Sequence, residues 1–400
     1  MQNPWLSNYD DGVPATVDIN EYQNIPDLLD ISFKKYRDKP AFHCMGKSYT
    51  YGEMDILSRK FASYLQNDLK LNQGDRVAIM MPNILQYPIC LFGILRAGMI
   101  AVNVNPLYTA RELEHQLNDS GAKAIIIFEN SCHTLAEVLE KTQIEKVLTT
   151  QIGDFLAFPK SLLVNFVIKK VKKMVPAWSI AGSSSFKEIL FKSVEDNFKP
   201  VTIDREDTAF LQYTGGTTGV SKGAELTHSN IVSNMLQARA WLNNKVREGE
   251  EIIITPLPLY HIFSLTANCF IFFSLGGLNV LITNPRDMPG FVKELSKWKF
   301  TSFTGVNTLF NGLVNTPGFD QVDFSALRLT LGGGMAVQRA VADKWKAVTK
   351  CTLIEAYGLT ETSPAACINP MTLPDYNGNI GLPISSTEVV IKDDDGKNLA

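Results

Sequence analysis

The chain has 400 residues, of which 45% are hydrophobic and 20% are charged, enough for one large or two ordinary globular domains with substantial cores. Its formal net charge is −3, so the composition indicates no nucleic-acid partner. No uncharged apolar run is long enough to span a bilayer, and no basic segment followed by an apolar block indicates a secretory signal. The six scattered cysteines lack CxxC spacing, which is typical of reduced core residues in a cytosolic protein.

Apolar segments that favour strands alternate along the chain with segments of helical periodicity. The predicted strands are residues 77–81, 100–104, 124–128, 208–213, 252–254, 278–282 and 329–331. The predicted helices are residues 54–65, residues 111–118 and a pattern around Ile231, Met235 and Ala238. This alternation is typical of layered α/β architecture with largely parallel sheets, and we expect two such subdomains at about residues 1–200 and 201–375.

A lysine-rich segment interrupts the alternation, since residues 155–186 contain no Asp or Glu. If the segment from Leu162 to Trp178 is helical, seven apolar side chains fall on one arc and four lysines on the other, although Leu162 and Phe166 stray from the arc. The apolar residues are Leu163, Val164, Val167, Ile168, Val171, Met174 and Val175, and the lysines are Lys169, Lys170, Lys172 and Lys173. Two interpretations stay open: a helix at an anionic membrane surface, and an ordinary surface helix packed on the core.

The segment from Tyr213 to Lys222 combines a glycine-rich turn, several hydroxyls and one lysine directly after a predicted strand. Glycine lets successive backbone N–H groups turn toward one anion, hydroxyls add short donors, and Lys222 adds a positive charge. The residues between the ends are Thr214, Gly215, Gly216, Thr217, Thr218, Gly219, Val220 and Ser221. We expect a phosphate-binding loop at a strand-to-helix joint. Gly223 follows Lys222, so the P-loop pattern is excluded, and the dinucleotide pattern GxGxxG is absent.

Three further motifs follow this loop along the chain. They are PLPLYHIF at residues 256–263, GGG at residues 332–334 and YGLTET at residues 357–362. Taken alone, each has an ordinary structural explanation: His261 as a core histidine, the glycines as a tight turn, and Glu361 as a surface acid. Their order is more informative than any one of them.

These motifs, together with NPLY at residues 105–108, resemble in sequence order those of the adenylate-forming enzymes. That family includes acyl-CoA synthetases, luciferases and the adenylation domains of peptide synthetases. The resemblance runs from about residue 40 to residue 400. It implies that the chain binds ATP and transfers AMP to a carboxylic acid, which makes the acid a better electrophile.

The resemblance also implies roles for individual residues. Nucleotide binding falls to Tyr213, Thr214, Gly215, Gly216, Thr217, Thr218, Gly219, Lys222, Gly332, Gly333, Gly334, Tyr357, Gly358 and Thr360. Catalysis falls to Lys222, to His261, which would orient the acid, and to Thr360, which would donate a hydrogen bond to the α-phosphate. Glu361 is the expected Mg²⁺ ligand, because Mg²⁺ prefers hard oxygen donors.

The segment after His261 indicates the class of acid. Residues 260–283 contain no Asp, Glu, Lys or Arg, so the ammonium group of an amino acid would remain unpaired there. This segment, GVNTLF at residues 305–310 and NPRD at residues 284–287 resemble bacterial long-chain fatty acyl-CoA synthetases, which implies a fatty acid and coenzyme A as substrates. A medium-chain or aromatic acid, and a catalytically silent nucleotide-binding membrane scaffold, remain alternatives.

The end of the chain changes character, because residues 388–392 precede the turn sequence DDDG and favour a hairpin. We expect a small antiparallel β-barrel subdomain to begin at about residues 376–400. Family members continue into a further domain that carries a lysine for the acid and the α-phosphate, so we expect a truncated form with impaired catalysis. The expected location is cytoplasmic and peripheral, on the inner face of the cytoplasmic membrane, and a homodimer is left open.

Overall fold

The structure is a computed structural model that describes residues 3–214, 220–242 and 245–399. Two β-sheets form its framework. The strands are β1 (Pro40–Cys44), β2 (Lys47–Thr50), β3 (Arg76–Met80), β4 (Ile100–Asn103), β5 (Ala124–Phe128), β6 (Lys146–Thr150), β7 (Ser184–Ser185), β8 (Thr208–Thr214), β9 (Lys222–Thr227), β10 (Ile252–Thr255), β11 (Leu278–Leu281), β12 (Ser302–Gly305), β13 (Leu329–Gly332), β14 (Leu353–Gly358), β15 (Ala365–Ile368) and β16 (Leu382–Pro383).

Helices cover the sheets. They are α1 (Ile25–Lys35), α2 (Tyr51–Asn67), α3 (Gln86–Arg96), α4 (Ala110–Ser120), α5 (Cys132–Val138), α6 (Lys160–Phe166), α7 (Phe186–Lys192), α8 (His228–Trp241), α9 (Ile262–Ser264), α10 (Ile271–Ser274), α11 (Met288–Leu295), α12 (Asn307–Val314) and α13 (Arg339–Thr349). Two π-helical segments, Val167–Val171 and Leu265–Phe270, continue α6 and join α9 to α10. Within the described part of the chain, no helix has both the length and the apolar character needed to cross a membrane.

The two sheets are largely parallel, which confirms the predicted α/β class. One sheet has seven strands in the order β7-β6-β5-β3-β4-β8-β9, and only its β8–β9 pair is antiparallel. The other has nine strands in the order β16-β15-β14-β13-β12-β10-β11-β1-β2, with antiparallel pairs at both ends. Central strands such as β5 are buried along their whole length, as expected for sheets with helices on both faces.

The sheets do not divide at the predicted boundary near residue 200. Strands β1 and β2 belong to the nine-stranded sheet, because Phe42 of β1 pairs with Asn279 of β11. Strands β8 and β9 belong to the seven-stranded sheet, where Phe210 pairs with Ala101 of β4. The chain therefore passes between the sheets more than once.

The loop at residues 215–219 does not lead directly into a helix, as we had expected. It connects two antiparallel strands, since Thr214 at the end of β8 pairs with Lys222 at the start of β9. Helix α8 begins one strand later, where Thr227 and Asn230 cap each other's backbone N–H groups at 3.0 and 3.1 Å. The prediction of a strand-to-helix joint was wrong, because strand β9 lies between the loop and helix α8.

The described residues after 375 form no barrel. They contribute the two-residue strand β16 and an isolated antiparallel bridge between Lys392 and Asn398. The predicted hairpin turn does form there, because the Gly396 N–H donates to the Asp393 carbonyl at 3.0 Å and Gly396 has a φ of +79°. The expected barrel subdomain is thus represented only by this turn and one short strand.

Candidate active site

A cavity of about 320 Å³ lies between the nine-stranded sheet, helix α8 and the helical stretch from α9 to α10. Its polar end is lined by Thr214, His261, Tyr357, Gly358, Thr360 and Glu361, and the buried polar side chains Asn234, Thr266 and Thr304 also line the cavity. Its apolar end is lined by Ala238, Leu242, Ile271, Phe272, Leu329, Leu331 and Ile368, all of which are buried. The cavity therefore has an exposed polar mouth and a buried, largely apolar floor.

The predicted site residues fall into three groups. Thr214, His261, Gly333, Gly334, Tyr357, Gly358, Thr360 and Glu361 line the cavity. Tyr213, Lys222 and Gly332 do not line it. Gly215, Gly216, Thr217, Thr218 and Gly219 lie outside the described residues. The structure thus brings the three later motifs together and sets them beside the end of β8.

Three glycines have different local reasons to be glycine. A Cβ on Gly332 would lie 2.9 Å from Leu353 Cδ2, so this position serves core packing. A Cβ on Gly333 would lie 3.1 Å from Phe263 at the cavity wall. Gly334 has a φ of +74°, a conformation that L side chains rarely adopt. Only the second and third positions can bring the backbone close to a bound ligand.

His261 precedes α9 and caps it. The Phe263 N–H donates to His261 Nδ1 at 3.3 Å, so Nδ1 is the unprotonated nitrogen and the neutral ring carries its proton on Nε2. The ring faces the open cavity, so its surface is accessible although protein surrounds it, and this surrounding protein lowers the pKa of His261. A neutral imidazole with a donor at Nε2 can hold a carboxylate without transferring a proton to it.

The segment after β14 makes a tight turn that presents Thr360 and Glu361. A Cβ on Gly358 would lie 1.8 Å from the Pro364 carbonyl oxygen, so only glycine fits. The Leu359 N–H donates to that same carbonyl at 3.1 Å, and the Thr266 hydroxyl donates to the Ser363 carbonyl at 3.0 Å. Among the described residues, none makes a hydrogen bond or ion pair with the Glu361 carboxylate, which is exposed at the cavity mouth.

Helix α4 supports both ends of the segment at residues 214–221. The Tyr213 hydroxyl donates to Asp119 Oδ2 at 2.6 Å, and burial, followed by the Asp119 carboxylate, raises the pKa of Tyr213. His115 Nε2 lies 2.8 Å from the Ser221 carbonyl oxygen, which can only accept, so Nε2 is the donor. Tyr213 therefore faces α4 and not the cavity. Sequence reasoning missed His115 and Asp119 because nothing local links α4 to this segment.

A buried amide on α8 joins the cavity floor to β15. Asn234 Nδ2 donates to the Ala365 carbonyl at 2.8 Å, and Asn234 Oδ1 accepts from the Ala365 N–H at 2.9 Å. These two bonds hold α8 at a constant distance from the sheet. Because Ala238 lies one turn later on the same face of α8 and Leu242 directly follows the helix, the width of the apolar end depends on this pair of bonds.

Comparison with known proteins agrees with this geometry. The profile of the AMP-binding enzyme family matches residues 29–400. The long-chain-fatty-acid–CoA ligase of Yersinia pestis is 53% identical over 399 residues, covering 100% of this chain and 71% of that protein. The ligase of the same name from Salmonella typhimurium is 52% identical over 400 residues, with the same two coverages, 100% and 71%.

Solved structures of similar fold include two other ligases. A crystal structure of an anthranilate CoA ligase in complex with anthranoyl-AMP has a TM-score of 0.83 at 21% identity, and the match covers 96% of this chain and 69% of that one. A long-chain-fatty-acid–CoA ligase from Archaeoglobus fulgidus has a TM-score of 0.81 at 25% identity, with coverages of 98% and 75%. The motifs, the cavity they line and these matches agree: the chain belongs to the AMP-binding enzyme family.

Proposed function

We propose that the chain activates a long-chain fatty acid with ATP and transfers the acyl group to coenzyme A. A carboxylate oxygen attacks the α-phosphorus, the bond to the β-phosphate oxygen breaks, and pyrophosphate leaves with that electron pair. The coenzyme A sulfur then attacks the acyl carbon and AMP leaves. The observation that carries this proposal is one cavity with a polar mouth at the end of β8 and a closed apolar floor.

The nucleotide fits the mouth of the cavity. Tyr357 is 45% exposed there and offers an aromatic face to the adenine ring, while Gly333 and Gly334 allow close approach of a flat ligand. Thr360 would donate to the α-phosphate, where charge changes during the reaction. Thr214 and Lys222, paired at the ends of β8 and β9, would face the outer phosphates together with Gly215, Gly216, Thr217, Thr218 and Gly219.

The acid fits the remaining part of the cavity. His261 Nε2 would hold one carboxylate oxygen, and the hydrocarbon chain would extend along Ala238, Leu242 and Phe272 toward the floor. Each buried CH₂ group contributes about 0.8 kcal/mol, so a long chain gains several times more from this floor than a short one. An amino acid would lose the hydration of its ammonium group there, because residues 260–283 offer it no carboxylate partner.

Glu361 is suited to hold Mg²⁺ together with the phosphates of ATP. The described residues contain no cluster of three metal-ligating side chains, and Mg²⁺ in nucleotide sites is commonly held by one or two carboxylates with phosphates and water completing the shell. The exposed carboxylate of Glu361 at the cavity mouth meets that requirement. When bound, the ion would offset the negative charge of the triphosphate.

We further propose that α6 and the residues after it bind an anionic membrane surface. Helix α6 turns its polar side chains toward the protein: Asn165 Oδ1 accepts from the Gly153 N–H at 2.7 Å, and Lys160 donates to the Met45 carbonyl. The side chains that face outward are apolar, and each of them is at least half exposed. We call them the α6 patch: Phe158, Leu162, Leu163, Phe166, Val171 and Met174.

This arrangement differs from the helix that we predicted. The α-helix stops at Phe166, π-helical bonding continues to Val171, and residues 172–178 are not helical, so the predicted arc does not form. Leu162 and Phe166, which strayed from the arc, face outward together with Leu163, Val171 and Met174 of the arc. Lys169 is bound to Glu129, so Lys170, Lys172 and Lys173 remain for lipid headgroups. An ordinary surface helix would bury its apolar face and expose Asn165.

The activation step can be tested by trapping its intermediate. The chain is incubated with Mg²⁺, ATP, palmitate and hydroxylamine, and palmitoyl hydroxamate is measured by mass spectrometry. We expect hydroxamate to form with palmitate and to fall strongly with Ala238→Phe, which fills the cavity floor. Hydroxamate with benzoate or octanoate and none with palmitate would instead favour an aromatic or medium-chain ligase. No hydroxamate with any acid, from this chain and from a form extended to the full length of its relatives, would favour a silent nucleotide-binding scaffold.

A further inference from the structure

The loop that carries His261 is held by side chains from the seven-stranded sheet and from the region of helix α3, which packs on that sheet. Residues 256–261 connect β10 to α9 above the nine-stranded sheet. Asn83 Nδ2 donates to the Leu257 carbonyl at 2.8 Å, and Asn83 Oδ1 accepts from the Leu259 N–H at 2.8 Å. The Tyr87 hydroxyl lies 2.8 Å from the Leu259 carbonyl oxygen. Both side chains come from the start of the α3 region, which packs on the seven-stranded sheet.

The contact nearest to His261 is made by Gln212. Its Nε2 donates to the carbonyl of Tyr260, the residue before His261, at 2.7 Å. Gln212 is 3% exposed and lies on β8, two residues before Thr214. One buried amide therefore joins the strand that leads to the phosphate end of the cavity to the loop that carries the acid-binding histidine.

The orientation of the Gln212 amide is determined by its neighbours. Gln212 Oε1 accepts from Asn103 Nδ2 at 3.0 Å, and Asn103 Oδ1 lies 2.7 Å from the Tyr87 hydroxyl. If the Gln212 amide were reversed, its oxygen would face the Tyr260 carbonyl oxygen and its NH₂ would face the NH₂ of Asn103. Both contacts would be repulsive, so this chain of amides holds Gln212 with its donor toward Tyr260.

We propose that Gln212 is a positioning residue that holds His261 in register with the phosphate end of β8. The carboxylate oxygen must lie in line with the α-phosphorus for AMP transfer, and a shift of about 1 Å in such an arrangement can cost about 100-fold in rate. Gln212 touches neither substrate. It acts by setting the distance between Tyr260 and β8. This inference rests on the proposed function, because it requires two half-sites in one cavity: a nucleotide site at the end of β8 and an acid site at His261.

Register between two half-sites is measured best with a ligand that spans them. A non-hydrolysable acyl-sulfamoyl adenosine carries the nucleoside and the acyl chain in one molecule, whereas ATP and dodecanoate each occupy one half. Affinities of all three are measured by calorimetry on the whole chain with its Gln212→Met variant. The matched control is Gln86→Met, since Gln86 is also buried and its Nε2 donates to the Gln151 carbonyl at 2.8 Å, away from His261.

We expect Gln212→Met to weaken the joined ligand about tenfold, from the unpaired Tyr260 carbonyl and the lost register, while ATP and dodecanoate change less than about twofold. Gln86→Met should leave all three affinities unchanged. A further variant, Gln212→Glu, can donate to Tyr260 only while its buried carboxyl is protonated, so its affinity for the joined ligand should fall as pH rises from 5 to 8.

Failure has distinguishable forms. If the unaltered chain does not bind the joined ligand, the proposed function is wrong. If it binds, and Gln212→Met binds equally well, Gln212 has no positioning role. Equal weakening of all three ligands, or a Gln212→Glu variant that binds the joined ligand equally weakly at every pH from 5 to 8, would show a general structural effect and would also overturn the inference.

Discussion

The cavity and the α6 patch both present apolar side chains, but those of the cavity face inward and those of the α6 patch face outward. In the cavity, apolar side chains such as Leu329 and Phe272 face inward and are almost fully buried, while the exposed polar groups lie at the mouth. At α6, Asn165 faces the protein and Phe166 is 58% exposed. Both regions thus offer apolar surface to something that is not protein. One surface is enclosed and shaped for a single chain, and the other is open and suited to a bilayer.

Burial makes helix α8, which lines the cavity through Asn234 and Ala238, sensitive to acid, whereas the α6 patch has no titratable side chain among its six residues. His228 begins α8, and burial lowers the pKa of His228 to about 4. In the unfolded chain His228 has its ordinary pKa of about 6.5, whereas in the folded chain it stays neutral down to about pH 4. The folded protein therefore loses stability as pH falls from about 6.5 to 4, because over that interval the proton binds only to the unfolded chain. We expect a loss of about 3 kcal/mol across that interval.

The measurement is the free energy of unfolding of wild type and His228→Gln by urea titration between pH 7 and 4.5. The variant should show a smaller slope with pH. Parallel slopes would mean that His228 does not titrate differently in the folded chain. Vesicle binding through α6 should not weaken over the part of this range in which the chain stays folded.

Removing apolar side chains from the α6 patch should weaken membrane binding without affecting the fold. Leu162→Ser with Phe166→Ser should reduce partition into anionic vesicles by about 3 kcal/mol in total, since each side chain would otherwise leave water. Sedimentation with phosphatidylglycerol vesicles measures this. The control is Ile31→Ser on α1, which is 42% exposed and away from α6. Unchanged sedimentation of the double variant would show that the α6 patch does not bind the membrane.

The lysines beside the α6 patch should contribute unequally to membrane affinity. Changing Lys170, Lys172 and Lys173 to Gln should cost on the order of 1 kcal/mol each at low salt, and the loss should shrink as salt is added. Lys169→Gln should cost less membrane affinity, because Lys169 already pairs with Glu129. Equal effects of all four lysines would argue against the structure's assignment of that pair.

Charge at the cavity mouth, and at Lys222 beside Thr214 at the start of β9, should control nucleotide binding. Lys222→Ala and Glu361→Ala should each weaken ATP·Mg²⁺ by about 1.5–3 kcal/mol, because each removes a charged partner of the phosphates or their metal. Calorimetry compares them with Lys192→Ala and Glu188→Ala, an exposed pair on α7. If the four variants bind ATP alike, the mouth of this cavity is not the phosphate site.

Strands buried on both faces were predicted well, because their apolar runs are unbroken. Residues 124–128 were predicted as a strand and form β5 with the same bounds. Strand β9 was missed, since KGAELT contains a glycine and two charged residues and gains its order from pairing with β8. The placement of β1 beside β11 was also missed, because such long-range pairing leaves no local signal.

The site shows the same division between local and distant signals. Motif residues such as His261, Tyr357 and Glu361 could be named because their spacing resembles a family, and the structure gathers them around one cavity. Gln212 and Asn83 could not be named as supports of the His261 loop. A buried amide near the end of a strand resembles any other polar residue until its partner on the second sheet is known.

The central claim is that the enclosed apolar surface selects a long-chain acid for reaction with ATP. It is tested most directly by pyrophosphate exchange into ATP with acetate, octanoate, palmitate, benzoate and phenylalanine as alternative acids. We expect exchange to depend on added acid, to be fastest with palmitate, and to lose that preference in Ala238→Phe. Exchange that is fastest with phenylalanine or acetate, or that needs no acid, would contradict the account.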